Sequence, residues 1–324
     1  MEHSASKLHL VSVKKIWDQA PHNALTDLIY FGEKWYCVFR EGDAHVEGRD
    51  GVIRIIQSLD GENWKPAALF QEEGVDLRDP KLSLTSNHQL MLLYEGVHVN
   101  RDDRIIVRQP RTAFSDNGKN WSSRRKILSP HEWLWRLTWH REKAYGASYR
   151  LSNPREPEKE WMITLFESSN GIDYTKMTQW EIHGHPSEAT LQFQNNGDMI
   201  ALVRREAYAW IGWSPPPYRI WKWSQTRHHL GGPHFLILPD GNMWASGRLV
   251  EKNPYGIFQK TAIAAMTRKT LQPVLVLPSG GEDCSYPGMV FRENLLWVSY
   301  YSSHEGKTAI YLAKIDLTRV RLKK

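Results

Sequence analysis

The sequence predicts an all-β fold, a six-bladed β-propeller of four-stranded antiparallel blades closed by an N-terminal strand. A turn signature, S-x-[DN]-G-x-x-aromatic, occurs at Ser58–Trp64, Ser115–Trp121 and Ser168–Tyr174, each time after a run of β-type residues. Asp or Asn followed by Gly favours a hairpin turn, and the aromatic residue can pack back over it. The segment His185–Glu206 shows the underlying unit: alternating Ala189, Leu191 and Phe193, a turn at Asn195-Asn196-Gly197-Asp198, and a returning strand from Met199 to Val203.

Extending that register outward divides the chain into six units. First strands are expected at Asp27–Phe31, Pro80–Leu84, Leu137–His140, Ala189–Phe193, His234–Leu238 and Pro287–Phe291. Second strands follow short turns, at Trp35–Arg40, Leu90–Glu95, Ala144–Tyr149, Met199–Arg204, Met243–Arg248 and Leu295–Tyr300. Third strands are Val52–Gln57, Gln109–Phe114, Trp161–Phe166, Tyr208–Trp213, Thr261–Met266 and Thr308–Lys314. A fourth strand follows in the first five units, as at Ala67–Phe70 and Val274–Leu277, but the sixth has none after it. Leu8–Ile16 precedes the first unit without a sheet of its own, and adding it to the last blade covers an edge that would otherwise invite aggregation. The rival is two β-sandwich domains; no linker interrupts the repeats, so one domain over residues 1–324 is expected. Pro215-Pro216-Pro217 replaces the turn signature in the fourth unit and reads as a rigid loop.

A hydrophobic content of 41% suffices for a buried core, and the 15 Trp and 13 Tyr suit packed sheets and sugar-facing surfaces equally. The net charge of +6 is scattered, with clusters only at Arg124-Arg125-Lys126 and Arg319–Lys324, so no nucleic-acid partner is expected. Cys37 and Cys284, far apart and beside strands, read as free buried thiols. The first residues, MEHSASKLHLVSVKKIW, have no uninterrupted apolar stretch, and no window of about 18 apolar residues exists. A membrane partner is therefore not expected, and the location is cytoplasmic by default; the oligomeric state stays open. His228 and His229 lack a partner at metal-ligand spacing, so neither a metal nor another cofactor is expected.

The repeat register points to the site. Just before, or at the head of, the six first strands stand Asp27, Asp79, Arg136, Glu188, His234 and Tyr286; ending the second strands stand Arg40, Glu95, Tyr149, Arg204, Arg248 and Tyr300. First strands of a propeller line its channel, so all twelve are expected near one mouth. Acid, base, nucleophile and anion-binding candidates then converge, although neighbouring opposite charges could merely neutralise one another. Arg78 and Asp79 look most like such a structural pair.

At this point the pattern resembles the sialidase superfamily. The repeated turns look like its Asp boxes, a blade signature of the BNR-repeat kind that says nothing about chemistry. More specific are Ser187-Glu188-Ala189-Thr190 with Arg204 sixteen residues on, and Ser285-Tyr286-Pro287-Gly288 opening the last unit. The resemblance implies Tyr286 as nucleophile, Glu188 as its base, Arg204 and Arg248 as carboxylate-binding arginines, and Asp50, in the loop Gly42–Gly51, as acid/base. A tyrosine of pKa ~10 needs such a base near neutral pH. Arg40, Arg136, Asp27, His234 and His45 join as substrate-binding candidates. One departure stands out: sialidases carry Arg-Ile-Pro at the first inner strand, where this chain reads Asn23-Ala24-Leu25-Thr26-Asp27-Leu28. The expectation is an exo-acting, sialidase-like glycoside hydrolase cleaving a terminal, acidic sugar from a carbohydrate or glycoconjugate. The alternatives are a non-catalytic carbohydrate-binding propeller, a lyase or an interaction scaffold.

Overall fold

The computed structural model describes residues 8–100, 105–151, 161–253 and 256–318. The basic stretch Arg319–Lys324 lies outside them. The described residues form strands and connecting loops without a helix. After β1 (His9–Trp17), blade one is β2 (His22–Phe31), β3 (Lys34–Gly42), β4 (Val52–Ser58) and β5 (Lys65–Phe70). Blade two is β6 (Asp76–Leu84), β7 (Leu90–Val99), β8 (Ile105–Ser115) and β9 (Arg125–Lys126); blade three is β10 (Trp133–His140), β11 (Lys143–Leu151), β12 (Trp161–Ser168) and β13 (Thr175–Trp180). Blade four comprises β14 (Ala189–Phe193), β15 (Met199–Val203), β16 (Trp210–Ser214) and β17 (Lys222–Gln225). Blade five comprises β18 (Leu230–Ile237), β19 (Met243–Asn253), β20 (Gly256–Met266) and β21 (Leu271–Val276). Blade six runs β22 (Cys284–Arg292), β23 (Leu295–Ser302) and β24 (Ala309–Asp316), with β1 as its outer strand.

The inner strands β2, β6, β10, β14, β18 and β22 contact one another in that order, and β22 returns to β2, so the blades close a propeller. The expected closure by the N-terminal segment is present: β1 pairs antiparallel with β24 from His9 opposite Asp316 to Trp17 opposite Ile310. The apolar core is divided among the blade interfaces. Trp35, Trp297, Tyr301 and Ile310 pack between blades six and one, and Val38, Ile55, Leu77 and Leu92 between blades one and two. Cys37 and Cys284 are free and buried.

The three signature turns follow one pattern, which Asp60 illustrates. Its Oδ1 accepts from Ser58 Oγ at 2.8 Å and from the backbone N–H groups of Glu62 and Asn63 at 2.8 and 2.9 Å. Those bonds hold its carboxyl well below the usual carboxylate range. The next residue, Gly61, has φ +71°, and a Cβ there would lie 2.5 Å from Trp297 of the preceding blade. Gly118 and Gly171 sit likewise against Tyr36 and Met91, again one blade back. Glycine is thus required twice at each turn, by backbone conformation and by close approach.

Two measurements follow. Deleting residues 1–17 strips β24 of its partner and is expected to lower the melting temperature markedly and promote aggregation; an unchanged melting curve would show that the closure is dispensable. Gly118→Ala, forced to φ +70° against Tyr36, is expected to cost about 1–3 kcal/mol in urea denaturation.

Candidate active site

Five inner strands begin earlier than their alternation suggests, because each carries a β-bulge that breaks the alternation while pairing continues beyond it. Leu25-Thr26 oppose Phe39, Asp79-Pro80 oppose Tyr94, Trp135-Arg136 oppose Ala147, Gly232-Pro233 oppose Gly247 and Tyr286-Pro287 oppose Tyr300. The first bulge residue is left-handed at Leu25 (φ 61°), Asp79 (47°), Gly232 (57°) and Tyr286 (48°). Pro80, Pro233 and Pro287 fill the second place, where no ladder donor is needed. Outside glycine such a backbone costs on the order of 1–3 kcal/mol and persists only where the surroundings enforce it. In blade four the regular ladder ends at Ala189 opposite Val203, and beyond it Ser187 and Glu188 both bond Arg204: Ser187 N donates to Arg204 O at 3.0 Å and Arg204 N to Glu188 O at 2.8 Å. Glu188 and Arg204 therefore face each other across the hairpin.

These backbones bring Tyr286, Glu188 and Arg204 together. The Tyr286 hydroxyl donates to Glu188 Oε1 at 2.8 Å, and Arg204 Nη1 donates to the same oxygen at 2.7 Å and to the tyrosine oxygen at 2.9 Å. Gly232 N donates to Glu188 Oε2 at 2.7 Å, so both carboxylate oxygens are occupied. Burial opposes the charge on Glu188, yet Arg204, Gly232 N–H and the Tyr286 hydroxyl together hold its carboxyl below the ordinary range. Burial, then Glu188, push the Tyr286 hydroxyl upward, while Arg204 and Arg248 favour its anion. The Arg248 guanidinium lies 5.0 Å from the centre of the Tyr286 ring. At rest the unit is a neutral phenol donating to a carboxylate.

Asp79 shares this environment. The expected pairing with Arg78 is not made: Arg78 Nε donates to Asp76 at 2.5 Å, and Asp79 Oδ1 is buried without a hydrogen-bond partner. Burial raises its carboxyl to about 6; Lys81 lowers it and Glu188 raises it further. The resemblance implied Asp50 for the acid role, but Asp50 is exposed and lines a separate cleft with Asp43 and Arg49. It is not brought to Tyr286.

The other expected arginines are already neutralised. Arg40, 1% exposed, donates to Asp76 Oδ1 at 3.0 and 2.8 Å and to Ala44 O at 2.7 Å. Arg248 donates through Nε to Cys284 O at 2.9 Å and through Nη2 to Asp283 Oδ1 at 2.9 Å and Tyr301 Oη at 2.8 Å. Asp27 and Arg136 face each other deep in the channel, 2.8 Å apart, and Leu82 N also donates to Asp27. His234 is buried there too, and burial, then Arg136 and Lys81, push its imidazole well below the usual range. Asp27 and His234 directly follow a bulge and Arg136 is the second residue of one, and together they fill the channel beneath the site.

His45 Nδ1 lies 2.7 Å from Asp283 Oδ2, in a cleft of about 710 Å³ whose walls include His22, Arg248 and Gln259. The register slips by one residue in blade six. Tyr301, not Tyr300, faces the site, and the Tyr300 hydroxyl donates instead to Pro278 O at 2.8 Å. Asp283 and His22 escaped sequence reasoning entirely, since they lie outside the paired positions that the repeat compares.

No protein-family model matches the chain, and no curated protein matches it in sequence. Solved structures do match in fold. A protein of unknown function from Dyadobacter fermentans superposes with a TM-score of 0.79 at 18% identity, covering 97% of this chain and 100% of that one. The sialidase of Trypanosoma rangeli, in complex with the inhibitor DANA, gives 0.71 at 10% identity, covering 93% of this chain and 56% of the sialidase. The GH93 α-L-arabinofuranosidase of Fusarium graminearum, in complex with arabinobiose, gives 0.71 at 12%, covering 96% and 99%. The chain thus has the six-bladed propeller fold of sialidases and GH93 glycosidases.

Removing one partner of the buried Asp27–Arg136 pair leaves an uncompensated charge. Asp27→Asn is expected to lower unfolding free energy by about 3–5 kcal/mol in denaturant titration. A loss below about 1 kcal/mol would show that the pair does not support the channel.

Proposed function

We propose that the protein is an exo-acting glycoside hydrolase whose nucleophile is the Tyr286 hydroxyl, activated by Glu188, with Asp79 as acid/base and a terminal neutral sugar as substrate. The observation that carries this reading is the unit in which Tyr286 donates to Glu188 while Arg204 donates to both. Glu188 takes the phenolic proton as Tyr286 attacks the anomeric carbon, and Arg204 and Arg248 favour the phenolate that forms. Both oxygens of Glu188 are engaged, which favours the base role over direct attack. The environments of Glu188 and Asp79 push the two carboxyls apart, one below its ordinary range and one up to about 6. That is the division expected between a charged base and a proton donor to the leaving group.

The neutral substrate follows from charge accounting. Arg40 is held by Asp76, Arg204 by Glu188 and Arg248 by Asp283, and the first-strand arginine of sialidases is absent. A sugar carboxylate would have to displace a protein carboxylate of equal charge. The near-complete mutual coverage with an arabinofuranosidase makes α-L-arabinofuranosides the first substrates to assay.

Turnover of a panel of chromogenic arabinofuranosides, hexosides, uronides and sialosides tests the reading. A neutral glycoside is expected to be hydrolysed with kcat/KM at least about tenfold above any acidic one. Binding of the sugars without turnover of any would favour the non-catalytic propeller instead. Tyr286→Phe and Glu188→Gln are each expected to lower kcat by about 10²- to 10⁴-fold. Since Asp79 must be protonated to act as acid, kcat/KM for glycosides with poor leaving groups is expected to fall as pH rises through about 6. Asp79→Asn should abolish that limb and spare activated leaving groups; an unchanged profile would remove Asp79 from the mechanism.

A further inference from the structure

We propose that His22, His45 and Asp283 form a binding site for a divalent transition-metal ion of the zinc class. The three come from separate places: His22 starts β2, His45 lies in the loop after β3, and Asp283 immediately precedes β22. One ligand atom from each lies within 4.8 Å of the others. Asp283 Oδ2 is 3.4 Å from His22 Nε2 and 2.7 Å from His45 Nδ1. Zinc bonds of about 2.0–2.2 Å in a tetrahedral shell place neighbouring ligand atoms roughly 3.3 Å apart. The His22–Asp283 spacing already suits such a shell. His45 must retreat by roughly half an ångström, and its side chain, 44% exposed, has room to do so.

The surroundings fit a coordinating carboxylate. Asp283 Oδ1 accepts from Arg248 and from the Tyr301 hydroxyl, each within 2.9 Å, and this fixes the plane of the carboxyl and leaves Oδ2 for the ion. His22 is buried, packed 6.4 Å from the Tyr301 ring and 5.8 Å from that of His45. The cluster opens on the 710 Å³ cleft, where Gln259 also has a buried Oε1 without a hydrogen-bond partner. Positions unfilled by the protein thus face polar space that water or a ligand oxygen can occupy. Two imidazoles and one carboxylate select zinc, cobalt or nickel over calcium and magnesium, which prefer all-oxygen shells. The Arg248 charge beside Asp283 opposes a bound cation and weakens the site.

The inference stands apart from the glycosidase reading, because binding is read without turnover. Metal-free protein is titrated with Co²⁺ by calorimetry and by its visible absorption, and with Zn²⁺, Ca²⁺ and Mg²⁺ for comparison. One equivalent of Co²⁺ is expected to bind with a low-symmetry visible band that Zn²⁺ displaces and Ca²⁺ and Mg²⁺ do not. His45→Ala, a change at a half-exposed side chain, is expected to weaken Co²⁺ binding at least about tenfold while leaving the metal-free melting curve unchanged. Asp283→Asn also removes the partner of Arg248, so it is first checked for folding by near-ultraviolet circular dichroism; it should likewise weaken Co²⁺ binding at least about tenfold. Absence of stoichiometric Co²⁺ binding to the wild type, or binding by His45→Ala as tight as wild type, would overturn the proposal.

Discussion

The bulge on the inner strand is the constraint on which the site depends. A strand of strict period two cannot place consecutive residues on one side, yet the channel mouth needs Tyr286 in reach of Glu188 while the residues beyond line the axis. One extra residue, held left-handed at Leu25, Asp79, Gly232 and Tyr286, resolves this by turning the strand locally. Two of the four, Asp79 and Tyr286, carry the side chains proposed as acid and nucleophile. Gly232 instead supplies a backbone N–H to Glu188, and a Cβ on it would lie 2.6 Å from the Tyr286 ring. The strained backbone and the proposed chemistry occupy the same positions, as expected where packing pre-organises a site.

Electrostatics at the mouth are settled pair by pair rather than by the net charge of the chain. The carboxylates Asp27, Asp76, Glu188 and Asp283 each meet a guanidinium at hydrogen-bond distance. Asp79 differs: burial keeps it from ionising easily, and its immediate sequence neighbour Arg78 turns away to Asp76. A carboxyl left out of the pairing can carry a proton, and Glu95, which burial pushes well above the usual carboxylate range, is another.

The blades, their order and the closing strand were legible because turn chemistry and period-two alternation are local properties. Glu188, Arg204 and Tyr286 were legible for a related reason, since they stand at repeat positions that can be compared between blades. What the sequence hid depends on tertiary detail. Asp79 looked paired because Arg78 is adjacent, but adjacent strand residues point to opposite faces. Tyr300 was preferred to Tyr301 because the blade-six bulge falls opposite Tyr300, one residue from its place in blades one, two and five. Asp50 shared a loop with His45, and only the fold shows that His45 turns to Asp283 while Asp50 stays on the outer rim. His22 and Asp283 come from opposite ends of the chain, and no local pattern joins them.

The turns between third and fourth strands of blades one to five lie on the face opposite the site, and each leans on the blade before it. Gly61, Gly118 and Gly171 do so by close approach, Tyr218 by packing 5.6 Å from Tyr145, and Arg268 by bonding Asp198 and covering Trp213. Different residues serve one end because the task there is mechanical: to fix each blade's angle to the next. At the opposite mouth the blades are joined instead by buried polar pairs such as Arg40 with Asp76 and Arg248 with Asp283. Only the exposed part of a loop outside those pairs, such as residues 46–50, is left to change side chain and length with little penalty to the ring.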